Sequence, residues 1–241
     1  MDLVTPYNFN EFTYSKISKI NLLLDAGLHE ILPYPNTTDP KQITLKDYED
    51  LLVLGFIKSV LPPGSRILDV GAGPARLLGA ISSEYECWVL DKYEGIGSGP
   101  KKAPKGDFKV VEDYIGNFSP ELPDNYFDLV FSISVLEHVE RDLALFKAIR
   151  HDINRLLSPR GYSLHCIDYA IYNQTTINGN RIEREFFANE KTFNHEIQAS
   201  DVMEDPDTFY LWEDLYTQLW EPIIHIPYGK FGRPFTYSVL W

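Results

Sequence analysis

Asp69-Val70-Gly71-Ala72-Gly73-Pro74-Ala75-Arg76 decides the fold of this chain. It follows a short apolar run, Arg66–Val70, and opens a helical pattern that continues through Ser82. A strand, a glycine turn and a helix in that order form the first half of a nucleotide-binding unit. Glycines there let the backbone approach a ligand closely, and the amides beyond them supply donors. Glycines also serve turns for purely local reasons, so the stretch gains meaning from what surrounds it.

Upstream, Thr44-Leu45-Lys46-Asp47 reads as a capping box. Tyr48, Leu51, Leu52, Phe56, Ile57 and Val60 follow at helical spacing, and Pro62-Pro63-Gly64 ends the run. Downstream, apolar runs at Cys87–Leu90, Phe108–Glu112, Phe127–Ile133 and Tyr162–Ile167 read as further strands. Helical periodicity occupies Val135–Leu157, and Ser158-Pro159-Arg160-Gly161 reads as a turn. Alternation of this kind predicts a mostly parallel sheet with helices on both faces, an α/β fold. Gly95 to Gly106 carries four glycines and two prolines, so that crossover is predicted to be an irregular loop. Helices are expected within Ser15–Leu32, Asn194–Met203 and Leu211–Leu219, and late strands at Ile223–Ile226 and Phe235–Trp241. The predicted organisation is a cap segment over 1–43 and a main domain over 44–241. Its core spans about 45–169, and a substrate cap with late strands follows over about 170–241.

The dinucleotide alternative fails at a position with a stated purpose. A G-x-G-x-x-G fingerprint places its third glycine where this chain has Arg76, and that glycine permits close packing of helix on strand. The stretch resembles instead the first motif of class I S-adenosylmethionine-dependent methyltransferases, acidic-x-Gly-x-Gly-x-Gly, with Ala75 in the last position. Four further landmarks follow in order. Asp91 ends the second strand, 22 residues after Asp69. Glu112-Asp113-Tyr114 ends the third. Phe127–Val139, containing Ser134-Val135-Leu136-Glu137-His138, is similar to the family's fourth-strand segment. Leu157-Ser158-Pro159-Arg160-Gly161 is similar to its L-x-P-G-G turn, with Arg160 replacing a glycine.

The resemblance covers about half the chain and implies a class I methyltransferase-like sheet with S-adenosylmethionine as cofactor. It implies that Gly71 and Gly73 line the cofactor's path and that Asp69 orients the methionine ammonium. Asp91 would hold the ribose and Asp113 the adenine amine, with Tyr114 or Ser134 flanking the cofactor.

Methyl transfer to oxygen needs a proton removed, which points to histidine. His138 follows the fourth strand and His165 lies in the fifth, and both are candidate bases. Asp168 lies near the same strand end. Glu137, His138 and His165 could offer a metal one carboxylate and two imidazoles, but compared with the E-x-x-E-H segment of RNA-terminal methyltransferases, which use such a site, Ser134 takes the first acidic position, so a ligand is missing and no metal is expected. The Asn/Asp-Pro-Pro-aromatic motif of adenine and glutamine amino-group methyltransferases is absent. Neither Cys87 nor Cys166 has a Pro-Cys context, and both are expected to be buried thiols.

A net charge of −13 over 241 residues argues against a long nucleic-acid partner. Lys101, Lys102 and Lys105 form one local basic cluster. No apolar run is long enough for a membrane span, and the first residues lack a secretory pattern, so the expected location is cytoplasmic. The expected partner is a small molecule, with an acceptor hydroxyl on a sugar or natural-product intermediate. An NAD-dependent oxidoreductase and a non-catalytic nucleotide-binding module are the competing readings. Tyr172, Phe186, Phe187, Phe193, Tyr210 and Trp212 are the expected walls of the acceptor pocket, with 1–43 and roughly 170–222 covering the sheet's C-terminal edge.

Overall fold

The computed structural model describes residues 3–33, 37–95, 99–172, 176–178 and 197–241. Its centre is one sheet. Parallel strands β1 (Arg66–Val70), β2 (Glu86–Leu90), β3 (Lys109–Val111), β4 (Phe127–Ile133) and β5 (Leu157–Tyr172) lie in the order β3-β2-β1-β4-β5. Two antiparallel strands join β5: β6 (Thr176–Asn178) and β7 (Arg233–Leu240). The expected α/β architecture is present, with the sheet mostly parallel.

Helix α1 (Ile17–Asp25) precedes α2 (Leu45–Val60), which starts at the predicted capping box of Thr44 and Asp47. Helix α3 (Arg76–Ile81) follows β1, and α4 (Leu143–Leu156) lies between β4 and β5. Strand side chains alternate between two cores. Ile67, Val89, Leu129, Phe131, Leu164 and Cys166 pack with α2 and α3. Leu68, Val70, Leu90 and Val130 pack with Phe146, Ile149 and Ile153 of α4. Because both faces are covered, β1 and β4 are mostly apolar, broken only at Arg66, Asp69, Asp128 and Ser132.

Three local expectations are corrected. Ser158–Gly161 is not a turn between elements but lies within β5: Phe127 pairs with Leu157 and Leu129 with Tyr162, so the extra residues form a bulge. Ile223–Ile226 is not a strand. Glu221–Ile224 is a short helix with proline in its first turn, and His225 ends it in the left-handed region at φ 58°. The region after β4 is also not one helix, because a 3-10 turn at Leu136–His138 precedes α4. The described residues of the β2–β3 crossover contain no helix, as the glycines and prolines predict. Cys87 and Cys166 are free and buried.

The amino-terminal segment packs against α2 and along β7. Phe9, Phe12, Ile20, Leu23 and Leu24 join the α2 core. Residues 13–15 bond to β7, with Ser15 N to Thr236 O at 2.9 Å and Ser238 N to Thr13 O at 2.8 Å. Leu211 N bonds Pro234 O at 2.8 Å on the same edge.

Candidate cofactor and acceptor site

The glycine turn is held from the β2 side by two hydrogen bonds. Gly71 N donates to Leu90 O at 2.8 Å, and Gly73 N donates to Asp91 Oδ2 at 2.9 Å. The other oxygen of Asp91 accepts from Tyr93 N at 2.7 Å. Asp91 therefore orders both the turn and its own loop, and each oxygen keeps a lone pair for another donor. Gly71 sits at φ 68°, and a Cβ there would come within 2.5 Å of Val135 Cγ2. Gly73 sits at φ 53°, where a Cβ would meet Pro100 Cδ at an ordinary 3.7 Å. These two positions require glycine for different reasons, one a collision and one a left-handed turn.

Asp69 is buried beneath the turn. Burial, then the nearby charge of Asp50, pushes its carboxyl well above the usual range, while Arg76 opposes the shift. Asp113 lies after β3 and accepts from Tyr114 N at 2.8 Å and Asn117 Nδ2 at 2.7 Å. The Asn117 bond is the main cause of its lowered pKa. Tyr114 is exposed in the same loop.

Ser134 ends β4 in the left-handed region at φ 50°. Its amide donates to Cys166 O at 2.9 Å, and its hydroxyl donates to Glu49 Oε2 at 2.8 Å. Glu49, on α2, is fully buried and also accepts from Thr236 Oγ1 at 2.9 Å. Burial first, then the neighbouring Asp168, raises its pKa well above the ordinary carboxylate range. Asp168 lies near the end of β5, and its Oδ1 is buried with no hydrogen-bond partner among the described residues. Lys46 Nζ reaches Ile133 O at 3.3 Å.

The sheet separates the two candidate histidines. His138 lies in the turn after β4 with 69% of its side chain exposed, 3.9 Å from Glu137. Surrounding protein still lowers its pKa, opposed by Asp168 and aided by Lys46.

His165 is elsewhere. It is fully buried on the α4 face, with Nδ1 2.7 Å from Ser132 Oγ and Nε2 2.7 Å from Ser163 Oγ. Its ring stacks on Trp241 at 4.7 Å, and burial, then Arg150, drives its pKa down to about 3. Both nitrogens are engaged and the imidazole is neutral, so the expectation that it reaches the acceptor meets a structural role instead. The same geometry removes it from any metal set with Glu137 and His138, because the ring lies on the opposite face. Among the described residues no cluster of three His, Cys, Asp or Glu side chains suits a metal.

Glu49, Asp50, Lys46 and Arg76 were not among the predicted site residues. Their signal lies in α2: its charges gather in the first turns, at Lys46, Asp47, Glu49 and Asp50, although almost the whole helix is buried. Asp50 is 2% exposed and pairs with Arg76 at 3.0 Å, which gives that arginine its place. A separate concavity of about 490 Å³ lies outside α3, between Glu30–Pro33, Pro74–Arg76, Lys105 and Phe108. None of Asp69, Gly71, Asp91 or Ser134 lines it. Of the expected pocket walls, Tyr172 and Trp212 are exposed. Tyr210 packs on Phe235. Phe186, Phe187 and Phe193 lie outside the described residues.

Residues 68–164 match a family model described as a methyltransferase domain. No curated protein sequence matches the chain. Solved structures with similarity include the YcgJ protein from Bacillus subtilis, at 22% identity and TM-score 0.37, over 47% of this chain and 49% of that one. Another is the N-methyltransferase NodS from Bradyrhizobium japonicum WM9 in complex with S-adenosyl-L-homocysteine, at 18% identity and TM-score 0.41, covering 60% and 72%. The chain spans about half the length of the first structures it matches. Among the described residues no helix is long and apolar enough to cross a membrane.

Proposed function

Taking residues 68–164 as a class I methyltransferase domain, we propose that the chain transfers a methyl group from S-adenosylmethionine to a hydroxyl of a small molecule. The observation that carries the cofactor reading is the bond between Gly73 N and Asp91 Oδ2, 2.9 Å. It joins two sequence landmarks at the C-terminal ends of β1 and β2, the end of the sheet where ligands of open α/β sheets bind.

The residues suit the cofactor's chemistry. Asp91 would take the ribose hydroxyls on its free lone pairs. Gly71 and Gly73 would line the path between ribose and methionine. Asp69 would orient the ammonium, whose charge would relieve the burial of that carboxylate. Asp113, Tyr114 and Ser134 would flank the adenine and the sulfur side. Bound there, the cofactor supplies an electrophilic methyl group on a sulfonium.

The chain's own residues supply alignment and a proton acceptor. His138 is assigned the acceptor's proton. Its lowered pKa leaves it neutral at pH 7, as a base must be. Asp168, with one buried oxygen that has no partner among the described residues, would receive a hydroxyl or amine of the acceptor. The described parts of 1–43 and 170–222 are assigned the walls of that pocket, and the remaining residues of those segments lie outside the described residues.

Calorimetric titration with S-adenosylmethionine, S-adenosylhomocysteine and NADH tests the cofactor. Binding of the first two without NADH is expected, and preference for NADH would defeat the proposal. Release of S-adenosylhomocysteine in the presence of hydroxylated small molecules, against amine counterparts, tests the acceptor.

A further inference from the structure

We propose that Asp50 is a positioning residue for the cofactor turn: its ion pair with Arg76 holds the glycine turn and the start of α3 against α2, and cofactor affinity depends on that pair. The inference rests on reading the turn as the cofactor site.

The turn needs an external hold. Ala75, immediately before α3, sits at φ 50°, a left-handed conformation disfavoured for any residue with a Cβ. Gly71 and Gly73 also sit at positive φ, so three of five consecutive residues depart from ordinary backbone. Leu90 and Asp91 fix the front of the turn from the β2 side. The rear is fixed by Arg76, the first residue of α3, whose guanidinium lies 3.0 Å from Asp50 Oδ2. Asp50 is 2% exposed and Arg76 27%, so the carboxylate is the rigid partner and the arginine is drawn to it.

The neighbouring α2 residues act on the other cofactor loop. Glu49 accepts the hydroxyl of Ser134, and Lys46 donates to Ile133 O. The first turns of α2 therefore brace the loops after β1 and β4 together. This helix lies outside residues 68–164, so the matched domain borrows its brace from upstream sequence.

The charged and titratable groups facing Asp50 are Arg76 from α3, Lys46 and Asp47 from α2, Asp69 from β1 and the Cys166 thiol from β5. Burial raises Asp50 to about 6, while Arg76 and Lys46 pull the other way. In mild acid the carboxylate takes a proton and the ionic hold is lost. A raised carboxylate pKa means the folded chain binds that proton more tightly than the unfolded one. As pH falls from about 6 toward 4, this group therefore adds to fold stability. Cofactor affinity should move the opposite way over the same interval. A purely structural residue would not separate the two.

The test uses S-adenosylhomocysteine and the full chain, by calorimetry at pH 7.5 and 5.5, with thermal unfolding alongside. If only the ionised pair supports binding, protonation of Asp50 should weaken wild-type affinity about fourfold between those values. Asp50→Asn should bind about tenfold more weakly at pH 7.5, lose that share of the pH dependence, and melt no lower than wild type. Arg76→Gln should match it, and Arg76→Lys should recover most of the affinity. The double variant Asp50→Asn with Arg76→Gln should be no worse than either single one. Wild-type affinity in both Asp50→Asn and Arg76→Gln would overturn the proposal, as would additive losses in the double variant. Should Asp50→Asn fail to fold, the contrast of Arg76→Gln with Arg76→Lys decides, since Arg76 is partly exposed. A wild-type chain that binds neither S-adenosylmethionine nor its product would defeat the functional reading itself.

Discussion

The sheet buries a polar cluster on each face, and the two are finished differently. On the α4 face, His165 lies between Ser132 and Ser163 with both ring nitrogens bonded at 2.7 Å, and Trp241 covers the ring. On the α2 face, Glu49, Asp50, Asp69 and Asp168 approach one another near the C-terminal ends of the parallel strands. Burial pushes the first three above the usual carboxylate range, and Asp168 has a buried oxygen with no partner among the described residues. A satisfied polar cluster specifies packing, whereas a buried carboxylate oxygen without a donor among the described residues, as at Asp168, marks where a ligand would supply one. An imidazole in the first cluster is structure, and an imidazole open to solvent beside the second is available for chemistry.

The largest expected effect falls on the satisfied side. His165→Ala removes a packed ring and strands two buried serine hydroxyls, a loss of about 3 kcal/mol in urea unfolding. Turnover per folded molecule should hardly change. His165 also carries a pH signature, because its folded pKa of about 3 lies below the ordinary value. Its contribution is present above about pH 6.5 and is lost as pH falls from there toward 3, on the order of 2 kcal/mol by pH 5. A stable variant with lost turnover would reverse the assignment of the two faces.

Asp91→Ala comes next. Removing the carboxylate costs a ribose contact and also leaves Gly73 N and Tyr93 N without their acceptor. Affinity for S-adenosylhomocysteine should drop by roughly 5- to 150-fold, about 1–3 kcal/mol. Asp91→Asn, which retains one acceptor oxygen, should fall between. Equal affinity in a folded alanine variant would remove Asp91 from the site.

The smallest effect sharpens the comparison most. His138→Ala should lower kcat by at least about tenfold, with cofactor affinity nearly intact. The wild-type rate should fall in acid, with a midpoint below the ordinary histidine value because the pKa is lowered, and the variant should lack that limb. Single-turnover rates equal to wild type would mean that alignment alone suffices.

Much of the fold was legible because its elements are locally encoded. Arg66–Val70 and Phe127–Ile133 begin and end where the apolar runs do, and Thr44 caps α2 through Asp47 as the spacing implies. The glycine turn and Asp91 were legible because one motif fixes each, and the 2.9 Å bond shows them in contact. The direction of His165 was not legible. A strand buried on both faces carries no polar side to orient it, so parity alone could not say which core receives the ring. Glu49 and Asp50 were missed because their partners, Ser134 and Arg76, are distant in sequence. Ile223–Ile226 failed for a more ordinary reason: a short apolar run fits either period, and Pro222 at the helix start was the available signal.

Strand β7 would be the open edge of the sheet if β5 were its only neighbour. Its outward-facing amides and carbonyls at Pro234, Thr236 and Ser238 are instead taken by Leu211, Ser15 and Thr13. An uncovered strand of this length, with Phe235, Tyr237 and Val239 in its sequence, is a template for pairing with another chain. The segment preceding α1 thus does more than extend a core. By pairing with β7 it takes ladder positions that another chain could otherwise use, and a chain deprived of residues 3–16 would expose them as it lost packing.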